Sequence, residues 1–295
     1  MAGAHVAVAC CRRTADSEPT DLYPDPDAAP LQEALGELGA RSTLVSWDDP
    51  GARWASFSHV LVSSTWDSVD RPAEYVEWAR SLRGVTSLVN PAAVIGWGID
   101  KVHQRELAAA GLPVIPTTWV APGDRWDLPA GRELVVKPAV SAGGRDTARY
   151  GVGDEAAVRH VRRLQAAGRT VMVQDHLAAV DREGEVDATW FAGTYSHAVR
   201  KEPALVTGEG VVERPWERMA WGGVATPTAA EMAVARRTIE VLADRFDGPP
   251  AYCRVDLVPG PDGPLILEVE LIDPYLSLDV VPAAAARLAR VLLEP

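Results

Sequence analysis

Tyr252-Cys253-Arg254-Val255-Asp256-Leu257 and, one turn later, Leu267-Glu268-Val269-Glu270-Leu271 are the stretches on which the reading of this chain rests. Both alternate between apolar and charged positions. Alternate side chains of a β-strand share a face, so Arg254 and Asp256 point one way, and so do Glu268 and Glu270. Between the strands Ala251–Val258 and Leu265–Leu271, the segment Pro259-Gly260-Pro261-Asp262-Gly263 reads as a turn. If the strands pair, three carboxylates and one guanidinium converge. Mg2+ takes oxygen ligands, usually one or two carboxylates together with substrate phosphates. The same pattern on a solvated sheet would be plain polar surface, so the upstream sequence has to decide.

Upstream, Glu133–Lys137 is a β-rich run ending in Lys137-Pro138, followed by Ser141-Ala142-Gly143-Gly144-Arg145. Glycine lets backbone N–H groups approach phosphate oxygens, and a neighbouring lysine neutralises phosphate charge. The segment has neither the Gly-Lys-Ser/Thr of a P-loop nor a Rossmann fingerprint. Of 29 basic residues, only Lys101, Lys137 and Lys201 are lysine. Lysine is a compact point charge where arginine is a broad planar fork. A lysine retained in an arginine-rich chain therefore marks a place where the fork does not serve.

The N-terminal part alternates. His5–Cys11, Ser42–Trp47, His59–Ser63 and Ser87–Asn90 read as strands, and Pro30–Gly39 and Pro72–Leu82 as helices. Such alternation implies a parallel sheet with flanking helices. Ligands of such sheets sit at the carboxyl ends of strands, so the polar loop Arg12–Ala28 and the turn Ser63–Asp67 are candidate substrate walls. Ile99–Ala110 reads as a helix closed by Gly111, Val114–Val120 as extended and Ala139–Thr147 as a loop. Asp154–Ala167 reads as a helix and Thr170–Gln174 as a strand. Val186–Ala192 and Tyr195–Lys201 form a hairpin about Gly193-Thr194. Residues 202–227 show no period and read as a long loop, a form often used as a lid. Thr228–Phe246 and Ala283–Leu293 read as helices.

Composition sets the outer bounds. At 295 residues, 47% hydrophobic and 24% charged, the chain can bury real cores in one large or two to three small domains. A net charge of −12 argues against nucleic acid and anionic membranes as partners, though a single nucleotide needs only a local positive cluster. No run reaches the roughly 18 apolar residues of a membrane span. No basic region precedes the first apolar run, so a secretory signal is not expected. Cys10, Cys11 and Cys253 make no disulfide framework, which points to a reducing cytoplasm. With the six histidines they show no zinc spacing.

Taken in order, the motifs resemble the ATP-grasp superfamily over roughly residues 90–295. They are Asn90-Pro91, Trp97, Asp100-Lys101, Gly111-Leu112-Pro113, Val135-Val136-Lys137-Pro138, Ser141-Ala142-Gly143-Gly144, Val173-Gln174, Arg200-Lys201, Arg254-Val255-Asp256 and Glu268-Val269-Glu270. Ser196-His197-Ala198-Val199 and Glu268-x-Glu270-Leu271-Ile272-x-Pro274 are most similar to actinobacterial ATP-grasp ligases of the D-cycloserine-forming cyclo-ligase type.

The resemblance implies an α/β ATP-grasp fold. A Rossmann-like parallel-sheet domain would span residues 1–98, a central ATP-grasp subdomain 99–175 and a C-terminal subdomain with the metal site 176–295. It implies an ADP-forming carboxylate–amine ligase of antibiotic biosynthesis. The enzyme would act on a small amino-acid-like substrate through an acyl phosphate, with ring closure as one form of the reaction. Lys101, Lys137 and Lys201 would meet the ATP phosphates, and Ser141, Gly143 and Gly144 would cover them. Gln174, Asp175, His176 and Leu177 would form the adenine hinge. Asp256, Glu268 and Glu270 would hold one or two Mg2+, or Mn2+ in their place. Arg254, with Lys201, would stabilise the transferring phosphoryl. The ribose-contacting acid is open among Asp181, Glu183 and Glu185; Glu185, after Gly184, best fits the family's Gly-Glu pair. Glu270 stands where most of the superfamily has asparagine. A homodimer is compatible with such enzymes. Two other readings are an ATP-grasp phosphotransferase and a nucleotide-binding regulator without catalysis.

Overall fold

The computed structural model describes residues 3–16, 26–213 and 220–293. Three sheets carry the chain. The first contains β1 (His5–Cys10), β2 (Arg41–Ser46), β3 (His59–Val62) and β4 (Ser87–Leu88) in the order β2-β1-β3-β4, all parallel. Val6 to Cys10 are fully buried, as a strand covered on both faces must be. Helices α1 (Arg12–Ala15), α2 (Ala28–Glu37), α3 (Pro72–Ser81) and α4 (Ala92–Gly98) accompany this sheet. Alternation divides its side chains. Val6 and Leu61 pack with Leu31 and Leu35 of α2, while Ala7, Val60 and Val62 pack with Trp47, Tyr75 and Ile95.

After α5 (Gln104–Ala109), the second sheet is antiparallel. Its strands β5 (Thr117–Val120), β6 (Leu134–Pro138), β7 (Ala148–Tyr150) and β8 (Val171–Asp175) lie in the order β5-β8-β6-β7. Helix α6 (Ala156–Ala166) buries Val161 and Leu164 against Leu134, Val136 and Val173.

The third sheet follows α7 (Val180–Glu183). Strands β9 (Glu185–Phe191), β10 (Thr194–Lys201), β11 (Trp221–Ala225), β12 (Tyr252–Gly260) and β13 (Gly263–Glu270) run antiparallel in the order β11-β10-β9-β12-β13. Helix α8 (Ala229–Phe246) lays Ala235, Ile239 and Leu242 on one face. Thr228 and Glu231 cap its start reciprocally, side chain to backbone in both directions. Helix α9 (Pro282–Leu293) returns to the first sheet and buries Leu288 and Leu292 beside α2, each worth about 2 kcal/mol relative to exposure.

Asn90 stitches the first sheet to the third. Its backbone is left-handed (φ 56°), its amide donates to the carbonyls of Tyr252 and Leu271, and its side-chain oxygen accepts from the Ala251 N–H. Asparagine tolerates that conformation better than a branched residue. Side-chain bonds of this kind fix the orientation of two layers.

Several elements differ from the sequence reading. The helix expected over Ile99–Ala110 is broken: Asp100 is extended, its carboxylate caps the Val102 N–H, and Lys101–His103 forms a 3-10 turn before α5. Helix α4 and strand β7 lie in stretches to which the sequence reading assigns no element. Residues 202–227 contain β11, whose Gly222 and Gly223 dilute any local β signal and whose pairing with β10 supplies the order instead. Residues 17–25 and 214–219 of the two expected loops lie outside the described residues. The β12–β13 turn is tighter than expected, because pairing continues to Gly260 opposite Gly263. Among the described residues, no helix is long and apolar enough to cross a membrane.

Candidate active site

Strand alternation splits β9, β12 and β13 into two faces. Val186, Ala188, Cys253, Val255 and Val269 join the α8 core. Glu185, Asp187, Arg254, Asp256, Glu268 and Glu270 take the intervening positions. Register then sets the pairs: Arg254 opposite Glu270, Asp256 opposite Glu268 on one side and Asp187 on the other, and Lys201 opposite Glu185.

This face lines a cavity of about 590 Å³, a size typical of small-molecule sites. The residues expected at the site meet there. Lys101, Lys137 and Lys201 line it, as do Ser141, Gly143 and Gly144 of the glycine-containing loop. Gln174, Asp175, His176 and Leu177 enter from the end of β8. Glu185, Arg254, Asp256, Glu268 and Glu270 complete the third-sheet wall.

Opposite charges interlock across the cavity floor. The Lys101 ammonium donates to the Ser141 carbonyl at 2.6 Å and pairs with Glu268 at 2.8 Å. Arg254 forks onto both Asp256 oxygens at 2.7 and 2.8 Å, reaches Glu270 at 2.7 Å, and donates to the Tyr275 carbonyl at 2.9 Å. Lys201 pairs with Glu185.

Burial and these charges set the protonation. Burial pushes the Lys137 ammonium down to about 8, against the pull of Glu268. Burial also lowers Lys201. Burial alone would raise the Glu268 carboxyl, but Lys101 and Lys137 outweigh it and hold the group at about 2. Glu270 is pushed up to about 7 by burial, with repulsion from Glu268 and Asp256 opposing its attraction to Arg254. Two sets of carboxylate oxygens lie within 4.8 Å of one another: Asp256 with Glu268 and Glu270, and Asp256 with Glu185 and Asp187. An all-oxygen donor set of this kind suits a hard divalent cation.

The loop Ser141–Thr147 is held at both ends. Ser141 Oγ donates to the Arg145 carbonyl at 2.7 Å, and Arg145 forks onto Asp70 of the first-sheet region at 2.9 and 3.2 Å. At the β8 end, the Gln174 amide donates to Thr117 at 2.8 Å. Its side-chain amide is therefore engaged within the sheet, between β8 and β5. His176 and Arg149 converge on Asp181, and Arg132 pairs with Asp175. Of the three candidate ribose acids, Asp181 and Glu185 line the cavity and Glu183 does not.

Gly184 explains how Glu185 is delivered. Its φ is +67°, and a Cβ there would lie 2.3 Å from the Lys201 carbonyl oxygen. Only glycine lets the backbone approach β10 so closely.

The opposite wall comes from the first sheet. Ser63, Ser64 and Trp66 line the cavity beyond β3, as do Pro26 and Asp27. The other expected residues of that turn face elsewhere. Thr65 bonds Tyr75 and Asp273, and Asp67 accepts from Trp47 and Arg71. Asp27 caps the backbone N–H groups of Leu276 and Leu278, so its carboxylate is structural. Asp187 was overlooked in the sequence. The signal was present, since Glu185-Val186-Asp187 alternates as Arg254-Val255-Asp256 does.

Comparison with known proteins gives a consistent picture. The family of the D-cycloserine synthetase DcsG N-terminal domain matches residues 6–90. The cycloserine biosynthesis protein DcsG of Streptomyces lavendulae is 38% identical over 281 residues, covering 92% of this chain and 94% of that protein. The crystal structure of D-cycloserine synthetase DcsG superposes with a TM-score of 0.86 at 35% identity, over 98% of this chain and 99% of that one. A D-alanine–D-alanine ligase from Bacillus anthracis, solved in complex with ATP, shares the fold at a TM-score of 0.69 and 12% identity, over 100% and 97% of the two chains.

Proposed function

Because the chain belongs to the D-cycloserine synthetase family of ATP-grasp ligases, enzymes that form carbon–nitrogen bonds, we propose that it joins the carboxylate of a small amino-acid-like substrate to a nitrogen at the expense of ATP, releasing ADP. The DcsG relative is a D-cycloserine synthetase, so the reading extends to an intramolecular closure in antibiotic biosynthesis. In this reading residues 1–98 carry the acceptor side, and 99–175 and 176–295 clasp the nucleotide.

The observation that carries the proposal is the third-sheet register. It brings Arg254, Asp256, Glu268 and Glu270 onto one cavity with Lys101, Lys137 and Lys201. A polyanionic substrate and its cations need such a mixed set, and phosphoryl transfer is mostly positioning plus neutralisation. Asp256, Glu268 and Glu270 would hold one or two Mg2+, with Mn2+ able to substitute; the ions would neutralise the phosphates. Lys101 and Lys137 would bind the phosphates, and the Ser141–Gly144 backbone would cover them. Glu185 would meet the ribose.

The substrate carboxylate oxygen attacks the γ-phosphorus and ADP leaves. The substrate nitrogen then attacks the acyl carbon, phosphate leaves with the acyl oxygen, and the nitrogen loses a proton. Arg254 and Lys201 would stabilise the oxyanion charge at both steps.

An ADP-release screen with amino acids carrying a second nitrogen nucleophile tests the proposal. Hydroxylamine should trap an acyl hydroxamate, and a ring-closed product should weigh one water less than its substrate. ADP release without any trappable acyl group would favour simple phosphotransfer and overturn the ligase reading.

A further inference from the structure

Asp187 is the one acid of the cluster that the chemistry above does not use. It lies in the middle of β9 with no exposure, and among the described residues neither carboxylate oxygen has a hydrogen-bond partner. Burying a carboxylate without partners is expensive. A native chain that retains such a group usually has a use for it. Register sets it opposite Asp256, and the Arg254 Nε lies 3.7 Å from its Oδ2, too far for a hydrogen bond.

Arg254 has a competing demand on its partners. Apart from the Tyr275 carbonyl, its hydrogen bonds go to Asp256 and Glu270. Those carboxylates are also the groups that would hold divalent cations. A divalent ion on Asp256 and Glu270 draws off the negative charge that the buried guanidinium faces in the unloaded chain. Like charges a few ångströms apart in a poorly solvated cavity repel strongly. A further carboxylate beside Arg254 restores the balance, and Asp187, with Oδ2 3.7 Å from the Arg254 Nε, occupies such a position.

We propose that Asp187 is the alternate counter-ion of Arg254, a positioning residue that takes up the guanidinium when cations claim Asp256 and Glu270. The proposal rests on the metal assignment made above. In the unloaded chain Arg254 serves Asp256 and Glu270. In the loaded chain it closes the short gap to Asp187 and remains charged beside the cavity. The cost of an unpartnered buried acid in the first state is recovered in the second.

Asp187→Asn keeps the size of the side chain and removes its capacity to carry a charge. Mn2+ is titrated into the intact chain with ADP present, and free ion is read by electron paramagnetic resonance. We expect an unchanged number of bound ions per chain and a dissociation constant raised about tenfold, the scale of one lost charge interaction. Thermal unfolding of the unloaded variant should come no earlier than that of the wild type, because no hydrogen bond is lost. In an Arg254→Gln background the same substitution should change Mn2+ affinity no further, since the effect runs through the guanidinium. An unchanged dissociation constant overturns the proposal, and so does an effect that persists without Arg254. Loss of a bound ion would make Asp187 a ligand, which also overturns it. A variant that fails to fold overturns it too, because a group without a hydrogen bond cannot be what holds the unloaded state together. Absence of Mn2+ binding by the wild type would remove the metal assignment itself, and this proposal with it.

Discussion

The two walls of the cavity are built by different means. The third-sheet wall takes its charges from strand register, so Arg254, Asp256, Glu268 and Glu270 are placed by backbone pairing on both flanks of β12. The first-sheet wall takes Ser63, Ser64 and Trp66 from the loop that leaves β3, with Ser64 in the left-handed region at φ 57°. A wall fixed by pairing holds ionic groups to within a fraction of an ångström, as transition-state stabilisation requires. A wall made of loop ends can change residue and shape without disturbing the sheet. We propose a division of labour along this difference: phosphate chemistry on the wall set by pairing, substrate choice on the wall made of loops.

The comparison breaks first, if it breaks, at the rigid wall. Glu268→Ala and Lys137→Ala should each lower ATP-dependent phosphate release by at least about 100-fold, the scale of losing one preorganised charge. The check is phosphate release, with circular dichroism to establish folding. Normal turnover in either folded variant would separate this wall from the chemistry. Lys137→Arg should fall within about tenfold of Lys137→Ala, because the side chain is buried at 8% exposure and a planar fork does not fit where a point charge does. Arginine that works as well as lysine would reduce the scarcity of lysine to compositional drift.

Gly184→Ala asks whether the backbone itself sets this wall. The added Cβ would meet the Lys201 carbonyl at 2.3 Å, so β9 and β10 must move apart. We expect a loss of about 2–3 kcal/mol in unfolding free energy, measured by urea titration. The first-sheet wall should respond differently. Trp66→Ala should raise KM for the amino-acid substrate about tenfold, the scale of one pocket contact, while KM for ATP stays within about twofold. Parallel rises in both would show that the two walls do not divide the work.

How far the sequence revealed each wall follows from the same difference. Period-two alternation in Tyr252–Leu257 and Glu268–Glu270 is a local signal, and pairing carried it directly into the cavity. Lys101 was legible as a residue but not as a conformation, because the break before α5 depends on the Asp100 cap. The stitching of Asn90 to Tyr252, Ala251 and Leu271 links positions far apart in the chain, and no local pattern announces it. Strand β11 is ordered by its partner β10 rather than by its own residues. The turn Ser63–Asp67 shows the limit most clearly. Its residues look alike as a polar run, yet Thr65 and Asp67 turn inward to protein partners while Ser64 and Trp66 face the cavity.

The smallest effect expected concerns pH, where the site and the supporting scaffold should pull stability in opposite directions. In the second sheet's core, burial holds the His160 imidazole down at about 4, with Arg163 adding to the effect, and the ring bonds the Tyr150 hydroxyl at 2.9 Å. An unfolded histidine titrates near 6.5. As pH falls below that value the unfolded chain takes up the proton first, so stability is present above about 6.5 and is lost until about 4. Glu270 at the site has the opposite sign. Its folded carboxyl, at about 7, keeps a proton that an unfolded glutamate gives up near 4.5, so stability falls as pH rises between those values. Each slope is at most about 1.4 kcal/mol per pH unit. Urea unfolding of the unloaded chain from pH 4.5 to 7 should show both terms. Glu270→Gln should reduce the loss toward neutral pH, and His160→Gln should reduce the loss toward acid, where His103, also held down at about 4 by burial, contributes with the same sign. If Glu270→Gln leaves the profile unchanged, burial does not govern this carboxyl. The rigid wall would then be wetter than its register makes it, and its charges weaker in the step they are placed to support.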